Sequence, residues 1–93
     1  MKIKQVEHPP STIVLYGTTW CYGSRQARQA LDESGLAYQW IDIDQDTEAR
    51  RVVETINEGY RSVPTIIFPD GSVLVEPDWE TLLAHLERFK SSS

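Results

Sequence analysis

Short apolar runs alternate with amphipathic stretches along the chain, and glycine or proline marks most of the changeovers. Thr12-Ile13-Val14-Leu15-Tyr16 is a continuous β-branched and aromatic run stopped by Gly17, the pattern of a strand covered on both faces. From about Gly23 the period lengthens. Ala27, Ala30 and Leu31 fall at i, i+3 and i+4 among Arg25, Gln26, Arg28, Gln29 and Asp32, which predicts a helix ended by Gly35. Leu36 to Asp44 returns to a period of two, with Tyr38, Trp40 and Asp42 alternating against Ala37, Gln39, Ile41 and Ile43. Asp46 is placed to cap a second helix that gathers Ala49, Val52, Val53 and Ile56 on one face ahead of Gly59. Val63 to Phe68 reads as a third strand, Pro69-Asp70-Gly71-Ser72 has hairpin-turn chemistry, and Val73-Leu74-Val75 is expected to return as a fourth, edge strand. Asp78 then caps a last helix with the apolar stripe Trp79, Leu82, Leu83, Leu86 and Phe89.

The predicted order is β-α-β-α-β-β-α. A right-handed crossover makes the first two strands parallel, and the hairpin adds an antiparallel pair to the same sheet. Strands this apolar need helices on both faces, so the expected class is α/β with a four-stranded mixed sheet. Residues 1-11 are polar, end in Pro9-Pro10 and read as an N-terminal arm outside the core; 12-90 form the domain, and 91-93 a disordered tail. A chain of 93 residues has no room for a second core.

Charge narrows the partners. Nine Lys and Arg against 14 Asp and Glu give a net charge of −5, which disfavours a general electrostatic hold on nucleic acid or anionic lipid. No apolar run approaches the ~18 residues of a membrane span, and the two N-terminal lysines are not followed by the apolar stretch of a signal peptide. The expected setting is cytoplasmic and the expected state a monomer. His8 and His85 do not stand at metal-ligand spacing with the cysteine, and Asp42-Ile43-Asp44-Gln45-Asp46 lacks the Gly and terminal Glu of a calcium loop, so no metal is expected. Trp40 and Trp79 read as packing residues on a strand and a helix.

The chemistry rests on a single cysteine, which cannot close an intramolecular disulfide. Cys21 lies in Thr18-Thr19-Trp20-Cys21-Tyr22-Gly23-Ser24, between the first strand and the first helix. The unpaired N–H groups of a helix's first turn, the helix dipole and a nearby cation such as Arg25 all favour a thiolate there. A second element is Arg61-Ser62-Val63-Pro64-Thr65, where a proline entering an apolar strand deletes a ladder donor. A cis Val63–Pro64 bond would offer the Val63 backbone as an edge to an extended ligand, whereas a trans proline opening the strand is the commoner arrangement.

From Thr12 to about Phe89 these residues resemble the glutaredoxin branch of the thioredoxin superfamily. The anchors are the strand–Trp20-Cys21-x-x–helix segment, Ser62-Val63-Pro64-Thr65 and the Asp70-Gly71 hairpin. Asn57-Glu58-Gly59-Tyr60-Arg61-Ser62-Val63-Pro64-Thr65, followed by Phe68-Pro69-Asp70-Gly71-Ser72, is similar to the mycoredoxin and bacterial glutaredoxin-like group. The resemblance implies the thioredoxin fold, a cis Pro64 beside the thiol, and thiol–disulfide exchange with a low-molecular-weight thiol such as glutathione or mycothiol as co-substrate, no cofactor being bound. S-thiolated proteins are the implied partners. Cys21 matches the family nucleophile and Ser24 the position of its second cysteine; Tyr22 matches a residue lining the thiol pocket, and Val63-Pro64 the backbone clamp. Trp20, Arg25, Arg61 and Asp78 join them as expected ligand-binding residues.

Two departures shape the expected mechanism. Ser24 stands where a dithiol member has its resolving cysteine, so a monothiol route through Cys21 is expected. The Gly-Gly segment of many glutaredoxins is replaced by Val75-Glu76-Pro77-Asp78, where Asp78 is either a ligand contact or only a cap. Two other readings stay open at this point: an iron–sulfur carrier with Cys21 as ligand, and a Cys-to-Ser trapped form of a dithiol redoxin that donates electrons to a reductase.

Overall fold

The computed structural model describes residues 3–90. It contains β1 (Ile3–Gln5), β2 (Ile13–Gly17), α1 (Tyr22–Ser34), β3 (Tyr38–Asp42), α2 (Thr47–Ile56), β4 (Thr65–Ile67), β5 (Ser72–Val75) and α3 (Trp79–Glu87). The strands form one sheet in the order β1-β5-β4-β2-β3. β2 and β3 are parallel, with Leu15 opposite Trp40 and Gly17 opposite Asp42; β2–β4, β4–β5 and β1–β5 are antiparallel. From β2 onward this is the expected four-stranded thioredoxin-like arrangement with three helices.

The arm is the one departure in topology. Ile3–Gln5 pairs with Ser72–Leu74, and Val6 N–H donates to the Gly71 carbonyl at 2.8 Å. β5 is therefore an inner strand, and β1 takes the edge that the sequence reading gave to Val73–Val75. Residues 1, 2 and 91–93, including the expected tail, lie outside the described residues.

Helices cover both faces, as the apolar strands require. α1 and α3 bury Ala27, Ala30, Leu31, Leu82 and Leu86 against Ile13, Leu15, Ile66, Phe68 and Leu74. On the other face α2 sets Ala49 and Val53 on Ile43, with Tyr16, Ile41 and Val63 packed around them. The caps fall where expected. Asp46 accepts from Ala49 N–H at 3.0 Å, Asp78 accepts from Thr81 N–H at 2.7 Å, and Gly35 closes α1 in the left-handed conformation (φ 79°).

Two strands are shorter than their apolar runs. β4 begins at Thr65 because Pro64 has no N–H to give the ladder, and β3 ends at Asp42, where the chain turns toward α2. Trp40 is partly buried against the main core, but Trp79 is 36% exposed and lines a surface groove, so only the first is a packing residue in the expected sense. Among the described residues no helix is long and apolar enough to cross a membrane.

Candidate active site

β2 delivers the chain into a short turn from which α1 starts, and Cys21 is the N-cap residue of that helix, with extended backbone angles (φ −85°, ψ 124°). Its side chain makes no capping bond, and no acidic residue occupies the first turn. The free N–H groups of α1 therefore meet no competing carboxylate within that turn. The thiol is free and partly exposed, and it donates a long hydrogen bond to the Val63 carbonyl, with sulfur and oxygen 3.8 Å apart.

The Val63–Pro64 peptide is cis. Glu76 N–H donates to the Pro64 carbonyl at 2.8 Å, which ties this wall to the segment leaving β5. A Cβ on Gly23 would stand 3.1 Å from Pro64 Cδ and 3.8 Å from the Cys21 sulfur. The first turn of α1 thus approaches the proline ring closely because residue 23 has no side chain, a requirement that the sequence reading missed.

A groove of about 300 Å³ between α1 and α3 borders this turn, lined by Tyr22, Gly23, Gln26, Pro77, Asp78 and Trp79. It joins the starts of two helices. Asp78 is held below the ordinary carboxylate range by the Thr81 N–H and hydroxyl, so it is ionised at neutral pH. A larger cleft of about 510 Å³ lies on the α2 face, where Val14, Tyr16, Val52, Ile56 and Ile67 line it and no cysteine does. Cys21 lines neither cavity, and the smaller one adjoins it through the next two residues, Tyr22 and Gly23.

The remaining expected residues separate. Tyr22, 69% exposed, lines the groove, and Arg25 lies with its guanidinium 5.9 Å from the Tyr22 ring centroid while donating to the Thr19 carbonyl at 3.2 Å. Arg61 donates from Nε to Glu54 at 2.8 Å, so its guanidinium already has a carboxylate partner on α2. Trp20 does not line the groove; its indole N–H donates to Asp44 Oδ2 at 2.8 Å.

Ser24 is fully buried, and its Oγ accepts from Thr18 N–H at 3.2 Å. Gly17 packs directly on it. A Cβ at residue 17 would stand 2.5 Å from Ser24 Oγ, 2.8 Å from Ser24 Cβ and 2.9 Å from the Trp40 ring. The hydroxyl latches the end of β2 to the first turn of α1, and among the described residues no hydrogen bond joins it to the Cys21 sulfur. Among those residues, too, no three His, Cys, Asp or Glu side chains gather where they could hold a metal ion.

Comparison with known proteins agrees with this geometry. The glutaredoxin family pattern matches residues 13–74. Mycoredoxin 1 of Corynebacterium glutamicum is 38% identical over 77 residues, covering 83% of this chain and 95% of the relative. The crystal structure of a glutaredoxin from Archaeoglobus fulgidus superposes with a TM-score of 0.64 at 25% identity, over 87% of this chain and 88% of that one. NrdH-redoxin from Escherichia coli, at 20% identity and a TM-score of 0.68 over 87% and 97% of the two chains, shares the fold. With two thirds of its length inside the family pattern, and its one cysteine at the head of α1, the chain belongs to the glutaredoxin family of thiol–disulfide oxidoreductases.

Proposed function

We propose that this protein reduces mixed disulfides between proteins and a low-molecular-weight thiol by a monothiol mechanism through Cys21. The observation that carries the reading is the placement of the only cysteine. It is partly exposed, caps α1, faces the Val63 carbonyl at 3.8 Å, and has a buried serine three residues on. The likeness to a mycoredoxin supports the substrate class.

In the first step the Cys21 thiolate attacks the small-thiol sulfur of a protein mixed disulfide. The Cys21–small-thiol bond forms, the original S–S bond breaks, and the protein leaves as a thiolate that takes a proton from solvent. In the second step a second small-thiol molecule, as its thiolate, attacks the small-thiol sulfur of the adduct. Cys21 leaves as a thiolate, and the small thiol departs as its own disulfide. One free small thiol is consumed for each protein mixed disulfide reduced, the released disulfide joining it to the small thiol that the substrate carried in, and no second protein cysteine takes part.

The groove between α1 and α3 is where the small thiol lies in this reading. Tyr22 forms a wall, the Val63 backbone an edge beside the sulfur, and the Asp78 carboxylate the partner for an ammonium group. Pro64 holds the edge against Gly23. Arg25 stands near Tyr22 for a ligand carboxylate, and Arg61 would have to exchange Glu54 for one. Ser24 acts by fixing the turn that carries Cys21. Glutathione, mycothiol or a similar thiol is the co-substrate, S-thiolated proteins are the partners, and the setting is a cytoplasmic monomer.

The test is turnover of a protein–glutathione and a protein–mycothiol mixed disulfide, each with excess of its own free thiol. The native chain is expected to release the reduced protein catalytically with at least one of the two, and Cys21→Ala to release none above background. Equal rates for the native chain and Cys21→Ala would overturn the proposal.

A further inference from the structure

Trp20 presents a puzzle that the small-thiol groove does not solve. The residue directly before the nucleophile is a tryptophan with 69% of its surface in water, yet its orientation is fixed. An unconstrained indole would fold over its own loop to bury apolar surface. Here the ring N–H is bound instead by Asp44 Oδ2 at 2.8 Å, across 24 residues of chain.

The acceptor is itself held. Asp44 N–H donates to Asp42 Oδ1 at 2.9 Å, and Gln45 N–H donates to the Asp42 carbonyl at 3.0 Å, which closes the turn after β3. Ile43 N–H donates to the Gly17 carbonyl at 3.0 Å, so this turn is pinned to the end of β2 from which the Cys21 segment departs. Edge strand β3 thereby fixes the ring plane of a residue in the active-site turn. The groove beside Cys21 is lined from α1 and α3, and Trp20 is not among its walls. A mixed disulfide has two halves. With its small half in that groove, its protein half extends over surface outside it, where Trp20 offers a rigid, amphipathic, solvent-exposed face.

We propose that Asp44 is a positioning residue for disulfide exchange: by holding the Trp20 indole it maintains a platform for the protein half of the mixed disulfide. The assignment rests on the proposed reduction of protein mixed disulfides. Asp44 touches neither the sulfur nor the small thiol, so its effect is confined to substrates with a protein half. Asp44 also adds negative charge beside the ring, which favours protein segments with lysine or arginine near the thiolated cysteine.

The experiment compares the native chain with Asp44→Ala, Asp44→Asn, Trp20→Phe and the Asp44→Ala/Trp20→Phe double variant. KM and kcat are measured for a small mixed disulfide and for the S-thiolated form of a protein with one cysteine and no lysine or arginine near it, so that the Asp44 charge does not enter the comparison. Asp44→Ala is expected to raise KM for the protein substrate about threefold to tenfold, the range of the net worth of one ordinary hydrogen bond, as suits a solvent-exposed one, with kcat and the small-substrate constants unchanged. Asp44→Asn, whose amide oxygen still accepts from the indole, is expected to recover most of that KM. The Trp20 indole N–H resonance should move in Asp44→Ala and stay near its native position in Asp44→Asn. Trp20→Phe should raise the same KM, and adding Asp44→Ala to it should change little further, since the two residues act as one unit.

An unchanged protein-substrate KM in Asp44→Ala, an equal change for both substrates, or full additivity in the double variant would each overturn the assignment. Failure of the native chain to turn over any protein mixed disulfide would instead overturn the proposed reaction, and the assignment with it.

Discussion

Replacing Ser72 by alanine should be among the more damaging single-atom deletions in this chain, and the reason is a closed ring of four side chains. Arg88 donates from Nη1 toward His85 Nδ1 at 3.4 Å and from Nη2 to Asp70 Oδ2 at 3.0 Å. A guanidinium has no acceptor, so Nδ1 must be the unprotonated nitrogen, and Nε2 carries the hydrogen of a neutral imidazole. Nε2–H then donates to Ser72 Oγ at 2.8 Å, and the serine hydroxyl donates to Asp70 Oδ1 at 2.6 Å. His85 is only 6% exposed and lies against Phe68 and Phe89, with ring centroids 4.5 and 5.6 Å away. Ser72→Ala removes the acceptor for a buried N–H, and the other tautomer would set N–H against the arginine. Stranding a buried donor and losing one ring bond together cost about 2 kcal/mol. For a domain of this size that lowers Tm by about 8–16 °C. Urea unfolding followed by far-UV circular dichroism reads the first figure and thermal scanning the second. The double variant Ser72→Ala/His85→Phe removes donor and acceptor together and should recover part of the loss. A single-variant cost under about 0.5 kcal/mol, or a double variant no better than the single, would refute the ring as drawn.

The same ring sets the pH response. Burial, followed by the Arg88 charge, lowers the His85 pKa from its ordinary 6.5, with Asp70 opposing, so the unfolded chain takes up this proton first as pH falls. Stability should decline as pH drops through 6.5 toward the lower folded value, and Ser72→Ala or His85→Phe should alter that slope in urea titrations. Asp70 is shifted below 3.8: burial works against this, but the Ser72 hydroxyl and N–H and the Arg88 charge outweigh it. Its contribution is present above 3.8 and lost only as pH falls through the lower folded value. Gly17→Ala places a methyl 2.5 Å from Ser24 Oγ and 2.8 Å from its Cβ; the buried overlap should cost about 1–3 kcal/mol in urea unfolding and slow Cys21 adduct formation by displacing the first turn of α1. Ser24→Cys puts two thiols on one helical turn, so oxidation by a small disulfide should give an adduct-free internal disulfide, read as the loss of two hydrogens in intact mass.

Much of this site was legible locally, and what was not depends on distant segments. Cys21 at a strand-to-helix turn, the Asp46 and Asp78 caps, the Asp70-Gly71 turn and the Val63-Pro64 entry all follow from signals within a few residues. β1 did not, because three residues between polar neighbours declare a strand only when Ser72–Leu74 is there to pair with them. The extent of β4 was overread because an apolar run says nothing of which N–H groups join the ladder. The resemblance gives Ser24 only as the position of the family's second cysteine, whereas its hydrogen bond to Thr18 and its packing on Gly17 are fixed by how β2 meets α1. Asp44 beneath Trp20 and His85 beneath Ser72 are polar pairs formed across 24 and 13 residues, and no periodicity announces either.

The central claim is that Cys21 alone carries the exchange and that it captures the small thiol rather than the protein. Intact mass spectrometry after a single turnover tests it most directly: the reduced chain is mixed with one equivalent of an S-thiolated protein and no free thiol, then quenched with acid. The expected result is one small-thiol mass on this chain, mapped to Cys21 and removed by reductant, together with free reduced partner protein. A chain left unmodified, or one joined by disulfide to the partner protein as its main product, would contradict the mechanism.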